Sequence, residues 1–249
     1  MTAALKLSAD DREKQIVALR RRLAAVPGKG AGAQAAEVAR PVPVLAVPGV
    51  LAGLLPRGGL VRGSVVSVSG ASSLLAGLIA SVTAEGGWAA VVGRSSLGML
   101  AAQEMGADLR RVALVPDPGP DAVDVAAVLL DGMDLVVLDL SGVALSKGAV
   151  VPSRARGLAA RARHREGVLV VTGGAWPGAE LELQARVSGC AGLGRGHGRV
   201  QSRELSVQVR GRGQAVRPRG MQVLLAAGPV GPAVQWQAGE HRGAERVAQ

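Results

Sequence analysis

The sequence predicts an α/β fold in which a mainly parallel central sheet is followed by antiparallel strands. Short Val- and Leu-rich runs alternate with helix-like segments from residue 65 to residue 171, as in a parallel sheet covered by helices on both faces. After Trp176 apolar and polar residues alternate, which is typical of strands with one solvated face. Gly63–Gly77, GSVVSVSGASSLLAG, has the outline of a nucleotide-binding strand, turn and helix.

Each element of the parallel part has its own signal. The predicted strands are Val65–Val68, Ala89–Val92, Val112–Val115, Leu135–Leu138 and Val168–Val171. The helical patterns between them are Ser73–Thr83, Leu97–Met105, Asp121–Leu130 and Arg154–His164. Two half-buried antiparallel strands follow, around Leu183 and Val207, and the Gly- and Arg-rich loops are Gly192–Gly198 and Gly211–Gly213.

The chain is expected to divide into four parts. Ser8 and the acidic residues after it start a helix, so residues 1–26 are predicted to form a helical arm. Residues 27–45 are small and without periodicity, which indicates a flexible linker. Residues 46–227 form the main domain, and the Pro-, Gly- and charge-rich residues 228–249 are predicted to be a disordered tail.

The charge of the chain is concentrated in its second half. Net charge is +10, and residues 153–219 contain thirteen Arg and four Glu, which is +9. Such a segment indicates contact with nucleic acid or with an acidic partner, or else a solvated cationic surface. Because Phe, Tyr and Asn are absent and 25 of the 29 basic residues are Arg, the Arg preference is attributed to a GC-rich genome.

Several classes of protein are disfavoured by composition. The single cysteine, Cys190, excludes an internal disulfide, and the three scattered His lack ligand spacing, so no metal site is predicted. The N-terminus has no apolar core of the signal-peptide type, which predicts a cytoplasmic protein. The uncharged run between Arg62 and Glu85 is long enough to span a bilayer, but its serines, glycines and central turn favour a strand and a buried helix.

The strand, turn and helix at Gly63–Gly77 lack the residues that hold phosphate. A working phosphate loop reads GxxxxGK[ST], in which the lysine neutralises phosphate and the hydroxyl holds magnesium. Counting from Gly70, the second glycine, the lysine and the hydroxyl residue are replaced by Leu75, Ala76 and Gly77. We therefore expect no bound nucleotide cofactor.

Four segments together resemble the RecA-like recombinase superfamily over Leu51–Leu225. They are GGLVRGSVVSVSG at Gly58–Gly70, MGADLRRVALVPDPG at Met105–Gly119, MDLVVLDLSGVAL at Met133–Leu145 and RGLAARARHREGVLVVTG at Arg156–Gly173. The resemblance implies a RecA-like core of the P-loop NTPase type. It places Asp139 at the Walker B acidic position and Arg94 at the position of the catalytic Glu. With Ala76 in place of the lysine, ATP hydrolysis is not expected, no catalytic residue is assigned, and Asp139 is interpreted as capping a neighbouring loop.

Within the superfamily the chain looks most like the actinobacterial ImuA-prime group. The similar features are Trp88 in GGWAAVVG, VPDPG, GLGRGHGRV and the following GRG and RPR. The resemblance implies an accessory protein of a damage-induced mutagenesis complex, with an ImuB-like Y-family-related protein and an error-prone C-family polymerase as partners, near the nucleoid when DNA is damaged. The alternatives are a stand-alone DNA-binding recombination modulator, a switch that binds ATP without cleaving it, and a protein like the cell-division inhibitors with a stripped RecA-like core.

Basic residues are the candidate contacts for DNA or a partner. Arg154, Arg161 and Arg165 lie close to one face of a predicted helix, where they can follow phosphates, engage acidic side chains or be solvated. The further candidates are Arg195, Arg199, Arg210, Arg212, Arg217 and Arg219. With so few aromatic residues to stack on bases, any DNA contact is expected to be electrostatic.

The three tryptophans receive different interpretations. Trp88 opens a buried strand and is assigned to the core, and Trp176 is assigned to a packed corner before Pro177. Trp236 lies with Val234 in the predicted tail. It is either an exposed anchor for a partner or a residue that folds back on the body.

Overall fold

The computed structural model describes residues 42–93, 96–141, 150–174, 176–194, 197–212, 218–228 and 233–239. The chain forms two units, Met1–Pro41 and Val42–Gln249, and every described residue belongs to the second. The predicted arm at residues 1–26 and most of the linker lie outside the described residues, as do Arg94, Arg195 and Arg217.

Within the described residues, nine strands form the central sheet. They are β3 (Val65–Gly70), β4 (Ala89–Val92), β5 (Val112–Val115), β6 (Leu135–Asp139), β7 (Val168–Thr172), β8 (Leu181–Gly194), β9 (His197–Gly211), β10 (Arg219–Ala227) and β11 (Val234–Ala238). The helices are α1 (Gly49–Ala52), α2 (Ser72–Ala84), α3 (Met99–Glu104), α4 (Ala122–Leu129) and α5 (Pro152–Arg165). A small antiparallel sheet joins β1 (Val44–Leu45) to β2 (Leu60–Val61).

The strand order is β11-β10-β9-β8-β3-β7-β6-β4-β5. From β8 to β5 in this order, adjacent strands pair in parallel, whereas from β8 to β11 adjacent strands pair antiparallel. The prediction of a mostly parallel sheet with antiparallel strands after it is confirmed. All five predicted parallel strands and all four predicted helices overlap observed elements, because their apolar runs are long and locally unambiguous.

The two faces of the parallel part are covered by different helices. Side chains such as Val66 and Val68 pack with Leu74 and Leu78 of α2. The alternate side chains, such as Val65, pack in the cluster that contains residues of α4 and α5. We call these the α2 face and the α5 face. Of the described helices, none has the length and apolar character needed to cross a membrane.

Among the described residues, core packing covers one face of the antiparallel part. Leu183, Val207 and Val223 belong to the cluster on the α2 face. The intervening residues of β8, β9 and β10 point to the α5 face, since side chains alternate along a strand, and no described helix contributes to a shared core with them. The polar half of the sequence alternation therefore lies on an open sheet surface.

The end of the chain corrects two predictions. The sequence predicts a disordered tail from residue 228, but Val234–Ala238 forms β11, which pairs with β10 from Val223 to Ala227. The loop predicted at Gly192–Gly198 is shorter than expected, because β8 continues to Gly194 and β9 begins at His197. Both differences arise because strand pairing is decided by the neighbouring strand, which local composition does not specify.

Trp88 is not a core residue. Its side chain is 46% exposed, and the Arg111 guanidinium lies 5.2 Å from the centroid of its ring. Trp88 precedes β4 at an end of the sheet, where a cation over the ring face stabilises it without burial. Trp176 is buried on the α5 face, as the sequence predicts.

Candidate functional site

The turn between β3 and α2 packs directly against the backbone of β8. Gly70 has a φ of +90°, in the left-handed region that favours glycine. A side chain at this position would collide with the carbonyl oxygen of Ala185. The amide of Ala71 donates to the same oxygen at 2.8 Å. Backbone from β8 therefore lies directly against the turn, and only glycine fits there.

Helix α2 begins inside the segment where a phosphate loop would lie. Its first residue is Ser72, so Ala71 is the single residue between β3 and the helix. The amide of Leu74 already donates to Ala71 O at 3.0 Å. A phosphate loop needs several non-helical residues whose amides converge on the ligand. The structure thus contains the strand and the helix that the sequence predicts, but the described residues between them do not form a phosphate loop.

The residues that replace the phosphate-binding pair are packed against other parts of the chain. Ala76 is 2% exposed and lies in a cluster with Ala80, Ala102 and Ala107. The indole of Trp236 lies over Gly77, where an added Cβ would be 2.8 Å from Cε2 of the ring. Small residues are required at both positions because their neighbours occupy the space a longer side chain needs.

Trp236 therefore folds back on the body of the protein. It is partly buried and packs against the core of the α2 face. Its Nε1 is buried and has no hydrogen-bond partner among the described residues. The interpretation of Trp236 as an exposed anchor for a partner is wrong, because β11 holds the ring against α2.

Asp139 stabilises the turn after β6. Its carboxylate is 4% exposed and accepts hydrogen bonds from the amide of Ser141 at 2.9 Å and from its hydroxyl at 2.7 Å. Gly173, which has a φ of +74°, lies against this turn. A Cβ added to Gly173 would be 2.7 Å from the Ser141 amide nitrogen. The capping role that the sequence analysis assigns to Asp139 is confirmed by these contacts.

Arg203 is a residue of this region that sequence reasoning missed. Its Nη1 donates to Oγ of Ser73 in the first turn of α2 at 3.2 Å. Position 203 on β9 lies next to α2 only because β9 pairs with β8 and β10. The sequence contains no local signal for this contact. Arg94, the other member of the predicted degenerate site, lies outside the described residues.

The arginine stripe of α5 is paired with acidic residues of the same domain. Arg161 Nε donates to Oδ1 of Asp131 at 2.8 Å, and Arg165 Nε donates to the same oxygen at 3.1 Å. Arg154 lies 3.5 Å from the carboxylate of Asp124. Of the roles considered for this stripe, the structure supports engagement of acidic side chains. These ion pairs connect α5 to Asp124 of α4 and to Asp131 in the turn that follows α4.

Asp131 is expected to make the stability of the α4–α5 pairing depend on pH. Hydrogen bonds from Arg161 hold the pKa of Asp131 below its ordinary value. The pairing therefore stabilises the fold above the ordinary carboxyl pKa, about 4, and this contribution is lost as pH falls through the lowered pKa. We expect Asp131→Asn to lower the free energy of unfolding at neutral pH and to have little effect at acidic pH.

Urea denaturation of the wild-type protein and the Asp131→Asn variant, from neutral to acidic pH, measures the difference in their free energies of unfolding. Glu104→Gln is the matched control, because Glu104 is exposed and forms no ion pair among the described residues. An Asp131→Asn effect that stays constant with pH would show that the ion pairs do not contribute.

The remaining predicted arginines lie on the antiparallel part of the sheet. Arg210 and Arg212 lie at the end of β9, and Arg219 begins β10. Arg199 is exposed on the part of β9 that precedes its pairing with β10. Arg186 is exposed on β8 and was not among the predicted contacts. The structure thus separates these arginines from the paired stripe of α5.

Comparison with known proteins identifies the family. Residues 53–178 match the model of the MT3502 N-terminal domain. This chain belongs to the MT3502 N-terminal domain family. It is 48% identical over 174 residues to the uncharacterized protein Rv3395c of Mycobacterium tuberculosis. The match covers 65% of this chain and 80% of that protein.

A solved structure supports the fold. The KaiC-like protein PH0186 from Pyrococcus horikoshii has a TM-score of 0.50 and 13% sequence identity, and the match covers 78% of this chain and all of that one. At this identity the similarity bears on fold alone, and it supports a RecA-like fold for this member of the MT3502 N-terminal domain family. The family match contains β3, α2 and Asp139, whereas β8 to β11 lie beyond it.

Proposed function

We propose that this chain is a non-catalytic RecA-like accessory protein of a damage-induced translesion-synthesis complex and acts by binding other proteins. The observation that carries the proposal is the start of α2 at Ser72, within the segment where a phosphate loop would lie. A RecA-like fold with no phosphate loop lacks the backbone amides and the lysine that position a triphosphate for hydrolysis. Its surfaces can still bind other proteins.

The residues around this turn support a role without hydrolysis. Ala76 and Gly77 supply no cation or hydroxyl for phosphate and magnesium. The buried carboxylate of Asp139 is engaged by Ser141. By sequence spacing, Arg94 stands where the superfamily has its catalytic Glu, and a cation cannot take a proton from water.

The assignment to a mutagenesis complex is supported by resemblance. The motifs similar to the ImuA-prime group include GLGRGHGRV, which spans the β8–β9 hairpin, and RPR, which leads into β10. We infer that the partners are an ImuB-like Y-family-related protein and, through it, an error-prone C-family polymerase. The protein would then act in the cytoplasm and associate with the nucleoid when DNA is damaged.

Co-purification with the ImuB-like protein of the same genome tests the proposal. We expect the tagged full-length chain to retain that protein equally with and without ATP and magnesium, and to hydrolyse no ATP by itself. ATP hydrolysis that is abolished by Asp139→Ala would contradict the non-catalytic role. Failure to retain the ImuB-like protein would contradict the accessory role.

Two truncations locate the contact without disturbing the sheet. A C-terminal truncation should remove residues 240–249 and not begin at residue 229, because β11 and Trp236 pack on the body. An N-terminal truncation should remove Met1–Pro41, which is a unit separate from Val42–Gln249. Loss of the partner with one truncation and not the other assigns the contact to that terminus.

A further inference from the structure

The open surface of the antiparallel part carries an ordered set of hydrogen-bond donors. It lies on the α5 face beside β7 and contains Ser67, Ser69, Gln184, Gln208, Arg186 and Arg210, which we call the polar face. Ser69 is in register with Gln184, and Gln184 with Gln208. In the row below, Ser67 is in register with Glu182, and Glu182 with Arg210. Directly opposite side chains lie about 5 Å apart across such strands.

A shallow cavity lies within the polar face. Its volume is about 140 Å³, and it is lined by the two serines of β3 and by side chains of β8 and β9. Hydroxyl, amide and guanidinium groups surround it, and each of them can donate a hydrogen bond to an anionic oxygen. Glu182 is the carboxylate among its lining residues.

The arginines of this surface differ from those of α5 in their pairing. Arg186, Arg210 and Arg212 are exposed, and none of them forms an ion pair with a described residue. Arg212 continues the surface beyond Arg210, with its backbone amide bonded to Glu180 O at 3.0 Å. These three arginines outnumber Glu182 and Glu204, the carboxylates on the same face of β8 and β9, so the surface carries a net positive charge. The charges of Arg161 and Arg165, in contrast, are offset by Asp131.

We propose that the polar face and Arg212 bind the phosphodiester backbone of duplex DNA. Charge complementarity favours an anionic polymer, and Arg, Gln and Ser are side chains that contact phosphate oxygens in protein–DNA complexes. The three tryptophans lie elsewhere: Trp236 packs on the opposite face, Trp176 is buried, and Trp88 precedes β4 beside Arg111. The surface therefore has no aromatic ring to stack on the unpaired bases of a single strand.

The polar face begins beside the turn at Gly70 and extends toward the end of the sheet where β3 begins. Ser69 directly precedes Gly70, whereas Arg210 lies in the row of Ser67, nearer the start of β3. The proposal goes beyond the accessory role and does not depend on it, since DNA affinity and retention of the ImuB-like protein are measured separately.

Fluorescence anisotropy with a labelled mixed-sequence duplex and the full-length chain tests the proposal. We expect Arg186→Gln, Arg210→Gln and Arg212→Gln together to weaken binding by about tenfold or more near 0.1 M salt. We also expect them to reduce the slope of log affinity against log salt by about 2 to 3, close to one unit for each lost phosphate contact. Glu182→Gln should strengthen binding, because it removes a negative charge from the surface.

The matched control removes three charges elsewhere. Arg57, Arg156 and Arg219 are exposed residues outside the polar face, and none forms an ion pair with a described residue. Their joint replacement by Gln gives the same net charge as the test variant. Retention of the melting temperature by both variants shows that they are folded. The proposal is overturned if the full-length chain does not bind the duplex, or if both triple variants lose affinity equally. It is also overturned if polyglutamate displaces the duplex at equal charge concentration, which would indicate a surface for acidic proteins.

Discussion

Ala76→Lys is expected to lower the free energy of unfolding by roughly 3 to 5 kcal/mol, the cost of an uncompensated buried charge. Position 76 is where a phosphate loop carries its lysine, but here the side chain is surrounded by Ala80, Ala102 and Ala107. The ammonium would have neither phosphate nor a carboxylate of this cluster to compensate it. Chemical denaturation measures the loss, and thermal melting with ATP and magnesium tests whether the substitution restores nucleotide binding.

We expect no rise in melting temperature with ATP for either the wild-type protein or the Ala76→Lys variant, since a ligand stabilises only a state that it binds. Ala84→Lys is the matched control, because Ala84 is an exposed residue of the same helix. A lysine there should change stability by only a few tenths of a kcal/mol. A stable Ala76→Lys protein that melts higher with ATP would contradict the packing of Ala76 in the core that is described above.

The effect of a substitution at Gly77 on stability is expected to depend strongly on the presence of Trp236. Trp236→Ala should lower the free energy of unfolding by roughly 2 to 4 kcal/mol, because it removes a partly buried ring from the α2 face. Gly77→Ala should cost roughly 1 to 3 kcal/mol in the wild-type protein, since its Cβ would meet the indole. In the Trp236→Ala background the same substitution should instead stabilise by about 1 kcal/mol, the helix-propensity difference between Ala and Gly.

Chemical denaturation of the wild-type protein, the two single variants and the double variant gives the coupling free energy between Trp236 and Gly77. Gly157→Ala on α5 is the control: no heavy atom lies within 4 Å of its added Cβ, so it should stabilise both backgrounds equally. If Gly77→Ala has the same sign in both backgrounds, β11 does not hold Trp236 against α2 as described.

These two predictions concern the same physical change. In a phosphate loop, the first turns of the helix carry side chains that face a ligand. Here the corresponding residues are small and face α3 and β11. The start of α2 has become part of the core, so the residues that lack phosphate chemistry are also the residues that need to be small.

Local sequence was sufficient for the parallel part of the fold. Continuous apolar runs such as Leu135–Leu138 and Val168–Val171 are buried on both faces, and this produces a pattern that neighbouring residues alone contain. Gly70 was also recognisable, because a strand that turns into a helix often needs a left-handed residue. The absence of Lys at position 76 was visible without any structure.

The alternation from Leu181 to Ala185 predicted a solvated strand face, but not that this face continues across β9 and β10 with no described helix packed on it. The sequence makes Arg161 a candidate for phosphate contact, but in the fold its guanidinium donates to Asp131. Trp236 looked mobile because Pro and Gly surround it in sequence, whereas pairing with β10 gives it a fixed place. In each case the deciding contact joins residues far apart in the chain, so strand order and burial determine it and local composition does not.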